Sequence, residues 1–235
     1  ETVHNAVLTF VSNGGSVVER VELPVGTALD LSAYVTEREG YDFTGWYLDA
    51  ALTQPITSLT LEADTTVYAG WRIRNPFVDV AEKDYFYDAV LWGVENGVVK
   101  GMDETHFEPE TVCTRAQALT FLWRANGMPQ PKTTTNPFVD VDASAYYYDA
   151  VLWGVENGIV KGMDETHFEP DTACSRAHAL TFLWRAKGMP QASGTTFADV
   201  PANAYYAQAV AWGVENGIVK GMDETHFEPD TLWQR

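Results

Sequence analysis

Three lysines, three tryptophans and one arginine at a helix start are the residues of this chain best placed to hold a ligand. Lys100, Lys161 and Lys220 each open the same ten-residue string, Lys-Gly-Met-Asp-Glu-Thr-His-Phe-Glu-Pro, spelled without substitution at 100–109, 161–170 and 220–229. Each is the only lysine or arginine in its loop and can offer a positive group to an anion; the competing reading is a solvated ammonium offsetting Asp103 and Glu104. Trp92, Trp153 and Trp212 hold matching places in the apolar stretch before each loop. An indole there can stack on a sugar or pack between copies, and packing, with one ring edge reaching a groove, is the expectation. Arg115 follows Thr114 at the start of a second apolar stretch, where the helix dipole disfavours a cation by about 0.3–1 kcal/mol. Something must offset that cost. Helix-start amides beside a guanidinium fork suit a carboxylate ligand. A carboxylate of the protein would serve equally, with Thr114 and Gln117 acting only as caps.

Other chemistry fits poorly. Asp103-Glu104-Thr105-His106 invites a metal, but an EF-hand loop needs oxygen ligands at alternate positions and Gly at the sixth, where Phe107 and Glu108 stand at the fifth and sixth. Zinc spacings such as His-Glu-x-x-His or Cys-x-x-Cys are absent from the sequence. We therefore expect a structural turn, no metal and no cofactor. No nucleophile–base pair or glycine-rich phosphate loop stands out, so a non-catalytic protein is expected, and chemistry repeated in triplicate suits multivalent binding. Cys113 and Cys174 are equivalent positions in the first two copies, with Trp233 in the third; one cysteine per unit points to buried thiols rather than a disulfide framework.

The elements that must position these residues are helix-loop-helix units with a period of roughly 60 residues, a length at which neighbouring copies bury each other's apolar faces. In the first copy Tyr85 to Asn96 reads as a helix with Phe86, Ala89, Val90, Gly93 and Val94 on one side. Asn96-Gly97 stops it. Thr114-Arg115-Ala116-Gln117 is a capping box opening a second helix that ends at Asn126-Gly127. Pro131 to Thr135 and Gln191 to Thr196 are connectors, and the third copy reaches only the start of its second helix at Arg235. Before the repeats, Val3 to Trp71 has β texture: strand-like runs at 6–11 and 16–23, a turn at Asn13-Gly14-Gly15, a helical turn within 29–35, and alternating aromatics from Gly40 to Tyr47. The expected division is 1–74, 75–130, 136–191 and 196–235.

Composition bounds the function. A net charge of −18 over 235 residues argues against a phosphate-tracking nucleic-acid binder and against adhesion to an anionic membrane. No apolar run approaches the roughly 20 residues of a membrane span. Opening on strand-like sequence at Glu1, the chain reads as a mature protein or a piece of a longer one.

Two resemblances sharpen this picture. Phe10, Asn13-Gly14-Gly15, Gly40-Tyr41-Asp42-Phe43-Thr44-Gly45-Trp46-Tyr47 and Thr66-Val67-Tyr68-Ala69-Gly70-Trp71 resemble the Listeria-Bacteroides repeat. That implies a small β-grasp-like module, a spacer or adhesive unit of bacterial surface proteins. Its aromatics can form a sugar platform, but burial of Trp46, Tyr47 and Trp71 in a small sheet is favoured. Phe77-Val78-Asp79-Val80, the stretch from Tyr87 to Gly101, Phe107-Glu108-Pro109 and Thr114-Arg115-Ala116-Gln117 resemble the S-layer homology domain. It implies an all-α pseudo-threefold assembly, an extracellular location at the cell wall, and binding of secondary wall polysaccharide, often pyruvylated, in grooves between units. The motif arginine falls on Arg115, on Arg176 within Ser175-Arg176-Ala177-His178, and on Arg235 after Gln234. Gln117 and His178 replace the family's Glu, and Tyr85, Tyr146 and Tyr205 replace a frequent Trp. The whole is thus expected to be α+β and multidomain, with a surface adhesin or the anchoring fragment of a secreted enzyme as rival readings. Because the third copy lacks a second helix, an open groove is expected at Trp212, filled by a second chain in a homodimer or by polypeptide beyond Arg235.

Overall fold

Alternation of apolar residues writes the first two paired strands. In β1 (Asn5–Val11) Ala6, Leu8 and Phe10 point inward, and in β7 (Thr65–Ile73) Val67 and Ala69 are fully buried beside them. In the computed structural model, which describes residues 4–194 and 197–235, these strands run parallel at the centre of a mixed sheet. Around them lie β2 (Val21–Pro24), β4 (Tyr41–Tyr47) and β5 (Pro55–Ile56), in the order β2-β1-β7-β4-β5; β3 (Thr27–Asp30) and β6 (Ser58–Leu61) form a separate antiparallel pair. Trp46 is 2% exposed and its indole N–H donates to the Tyr34 carbonyl at 2.8 Å, while Trp71 is half-buried and donates to Ser12. The aromatics are therefore mainly core. Two local expectations shift: residues 16–20 lie outside any strand, and the helical turn within 29–35 is a single 3-10 turn, Leu31–Ala33, entered from a strand and capped by the Asp30 carboxylate. The expected module start at Val3 and the Thr195–Thr196 end of the second connector lie outside the described residues.

Two compact units result, 1–76 and 77–235. The second holds α1 (Tyr87–Glu95), α2 (Arg115–Ala125), α3 (Tyr148–Glu156), α4 (Arg176–Ala186) and α5 (Ala207–Glu215). The first helix starts two residues later than its periodicity suggests; of its expected apolar face Val90 and Gly93 are buried, Phe86 and Val94 are half-buried and Ala89 is exposed, while Leu91 is buried, so the covered face is turned towards Leu91. Gly97 takes the left-handed conformation (φ +67°) that ends it. The Thr114–Gln117 capping box is formed in both directions. Pro131 to Thr135 is pinned rather than loose, since the Glu156 carboxylate accepts N–H bonds from Lys132 and Thr133.

Each unit's second helix packs on the first helix of the next. Leu119 of α2 lies over Gly154 of α3, and Leu180 of α4 lies over Gly213 of α5, with methyl groups so close that a Cβ on either glycine would stand 3.0–3.2 Å from them. The three segments before the second-helix positions close a ring: the Cys174 N–H donates to Cys113, Cys113 to Trp233, and Trp233 to Cys174, each at 2.8 Å. A pseudo-threefold unit with a small hydrogen-bonded triangle at its axis is the outcome. The rule of packing forward also moves the expected gap. Trp212 is covered (9% exposed), whereas Trp92 is 57% exposed: α2 packs on α3 and α4 on α5, and among the described residues no helix packs on α1 in that way.

Candidate ligand grooves between repeats

The fixed loop is built on carboxylates used as backbone acceptors. Asp103 takes the N–H groups of Thr105 and His106, and Asp79, arriving from the start of the same unit, takes those of Phe107 and Glu108. Asp164 with Asp140 and Asp223 with Asp199 repeat the arrangement. The Thr105 N–H holds Asp103 down at about 2, against slight desolvation and with help from His106. The loop is thus a structural turn.

That turn presents carbonyls to the next arginine round the ring. Arg115 is 2% exposed; its Nε donates to the Phe168 carbonyl at 3.1 Å and its Nη2 to the Lys161 carbonyl at 3.2 Å. Its guanidinium lies 4.9 Å from the Phe168 ring and 5.6 Å from that of Phe182. Arg176 repeats both bonds with Phe227 (3.2 Å) and Lys220 (2.9 Å). Arg235 donates to the Lys100 carbonyl and to Met102 Sδ. The structure therefore brings the expected arginines and lysines together in pairs, Arg115 with Lys161, Arg176 with Lys220 and Arg235 with Lys100, through lysine backbone rather than side chain. Neighbouring carbonyls and ring faces supply the offset that a cation in the first helical turn requires. Burial pushes the Arg115 guanidinium pKa down, opposed by Cys174, Glu169, Tyr205 and Asp140. The three lysine side chains are exposed, and Arg176 and Arg235 keep partial exposure.

The groove between the second and third repeats gathers residues that were not singled out for ligand contact. His178 stacks between Phe182 and Tyr205, with centroids at 6.4 and 6.0 Å, and Tyr205 is 54% exposed. Burial raises the Tyr205 pKa, with Tyr206 and Asp230 adding to the rise and Arg115 and Arg185 opposing it. His178 is pushed below its ordinary value by burial and by Arg115, against Asp230. Tyr146 holds the equivalent place between the first and second repeats, near Arg124 and Asp171. Arg124 and Arg185 had a sequence signal, being the last-turn cation of Phe-Leu-Trp-Arg-Ala in each second helix.

Of the tryptophans, Trp153 and Trp212 are core, yet the Trp153 indole also borders a cavity of about 420 Å³ with Asn126, Pro129, Asn157, Ile159 and Arg185. Both thiols are free and fully buried, and desolvation pushes Cys113 up to about 11 and Cys174 to about 12. Among the described residues no helix is long and apolar enough to cross a membrane.

A family model described as the S-layer homology domain matches residues 76–119, 137–180 and 196–232, and one described as the Listeria-Bacteroides repeat domain matches 7–70. The surface-layer 125 kDa protein of Lysinibacillus sphaericus is 31% identical over 151 residues, 62% of this chain and 13% of that protein. The S-layer protein sap of Bacillus anthracis is 30% identical over 145 residues, 61% of this chain and 17% of its own length. The amylopullulanase of Thermoanaerobacterium thermosulfurigenes is 25% identical over 169 residues, 69% of this chain and 9% of the enzyme. The chain spans 17% or less of the length of each of these three relatives.

Proposed function

The chain belongs to the S-layer homology family, whose model matches more than half of it, and from that premise we propose that its repeats bind secondary cell-wall polysaccharide in the grooves between units. The family and the surface-layer relatives make it a cell-surface module with an anchoring role. The finer reading, a non-catalytic anchor for an acidic wall glycan, rests chiefly on one observation. In a chain of net charge −18, the groove between the second and third repeats exposes the Tyr205 ring, stacked on His178. An exposed aromatic face suits a sugar ring, and the arginines carried by the repeats suit a carboxylate on it, a pyruvyl ketal among them. The cavity at Trp153, with Asn126, Asn157 and Arg185, offers an indole, two amides and a cation to an adjoining sugar.

On this reading the motif arginines act in two ways. Arg115 fixes the shape of the groove, while Arg176, Arg235 and the exposed Lys100, Lys161 and Lys220 contribute positive potential at its edges. Cosedimentation with purified peptidoglycan, with and without its attached polysaccharide, tests the proposal. Arg185→Ala with Tyr205→Ala is expected to weaken retention by at least about tenfold, near 1.4 kcal/mol, with an unchanged far-UV spectrum. Retention unaffected by the double substitution, or equal on walls stripped of polysaccharide, counts against it. The amylopullulanase match favours a second reading, in which the anchored cargo is a secreted enzyme; a chain extended by its natural neighbours and assayed for polysaccharide hydrolysis on whole walls distinguishes that case.

A further inference from the structure

At the axis of the repeat ring the backbone sets two thiols opposite each other. The Arg115 N–H donates to Thr172 at 2.9 Å and the Cys174 N–H to Cys113 at 2.8 Å, so that Thr114 and Ala173 form an antiparallel bridge. In that register Cys113 stands directly across from Cys174. Opposed residues of an antiparallel pair turn their side chains to the same face, with Cα atoms about 4.5–5.5 Å apart. A disulfide spans about 4.4–6.8 Å between Cα atoms. Both cysteines are 0% exposed, and the third corner of the triangle is Trp233, so the chain's two thiols can pair in one way only.

We propose that Cys113 and Cys174 are a disulfide site, joined across the axis of the ring when the chain folds in the oxidising surroundings of a cell surface. The oxidant is a small-molecule disulfide. One cysteine thiolate attacks its S–S bond and expels a thiolate; the second cysteine attacks the mixed disulfide and expels the other. One S–S bond breaks and one forms, and the two electrons and two protons of the cysteine thiols leave with the reagent as two thiols. Burial sets the timing. Desolvation pushes Cys113 up to about 11 and Cys174 to about 12, and only the thiolate attacks, so the closed ring is inert and the bond forms while the ring is open. Cys113 directly precedes Thr114-Arg115 at the start of α2, and Cys174 directly precedes Ser175-Arg176 at the start of α4. The bond therefore staples together the two helix starts that carry the motif arginines, and it closes a loop of roughly 60 residues, long enough to constrain the unfolded chain strongly. The site is independent of glycan binding.

The test holds the full chain at its urea midpoint, where the ring opens and closes, with oxidised glutathione. The urea is then removed, remaining thiols are blocked, and the chain is digested with trypsin without reductant. Peptides 101–115 and 162–176 are expected as one linked species, separated again by dithiothreitol. The linked protein is expected to migrate as a single chain on a non-reducing gel, to keep the far-UV spectrum of the reduced chain, and to raise the urea midpoint by at least about 0.5 M. Thiols that stay open to blocking or carry glutathione overturn the proposal, as does a bond between two chains. A linked chain whose midpoint equals or falls below that of the reduced chain overturns it too, because the bond would then not fit the folded ring.

Discussion

Arg115 shows how one side chain can serve two purposes at the scale of a residue. Its position predicts a helix-start cation in need of compensation, and the compensation is a pair of carbonyls from the next unit's loop. Arg115→Ala is accordingly expected to destabilise the repeat unit by on the order of 3 kcal/mol, since two charge-assisted bonds are lost and buried acceptors are stranded. Arg115→Lys is expected to recover less than half of that in urea unfolding, because one ammonium cannot reach both carbonyls and lie flat on two rings. The loop aspartates carry a pH signature. Backbone donors hold Asp103, Asp164 and Asp223 down at about 2, so the folded pKa lies below the unfolded value. Their contribution is complete above about pH 4 and is lost as the pH falls towards 2. The protection factors of the Thr105, Thr166 and Thr225 amides, taken against the intrinsic exchange rate at each pH, should hold down to about pH 4 and fall together below it; a fall already at pH 6 would assign the protection to another group. Residue types were legible in the sequence here, but their partners, some 50 residues away round a ring, were not.

At the scale of elements, caps and stops read directly because their chemistry is local. The Thr114–Gln117 box and Gly97 are formed as their sequence demands. Less legible was which face of the first helix is buried, since Leu91 is covered and Ala89 exposed against the 3.6-residue pattern. Gly154 and Gly93 hold the same place in their helices yet differ in surroundings. A Cβ on Gly154 meets Val160 at 2.9 Å and Leu119 at 3.1 Å, whereas on Gly93 its three nearest atoms all belong to Val99, the first at 2.8 Å. Helix propensity favours alanine at both by about 1 kcal/mol. Gly154→Ala is nonetheless expected to destabilise by about 1–3 kcal/mol through overpacking against a neighbouring helix, and Gly93→Ala to cost at least about 1 kcal/mol less than Gly154→Ala. Chemical denaturation of the two variants side by side decides the matter, and equal losses would mean that the packing of α2 on α3 does not set the tolerance.

For the whole molecule the decisive feature is closure. The triangle of Cys113, Cys174 and Trp233 joins the last described residues to the first unit, and Arg235 donates both its backbone N–H, to Thr111, and its guanidinium across the same seam. Removing residues 231–235 is expected to cost the repeat unit on the order of 3–5 kcal/mol, several hydrogen bonds at about 1 kcal/mol each together with the stacking of Arg235. A urea midpoint unchanged by that deletion would show the ring to be held by its helices alone. Sequence by itself determined the two-part α+β organisation, the threefold repetition, the loop as a structural turn and the surface-anchoring family, because each rests on local periodicity, on caps or on strings of identical residues. Tertiary structure alone decided that Arg115 is spent inside the fold, that His178, Phe182 and Tyr205 stack in one groove, and that the uncovered tryptophan is Trp92 rather than Trp212. The reason is physical: each unit packs forward onto the next, so what a side chain meets is set by the order in which copies close a ring, and identical sequences end in different surroundings.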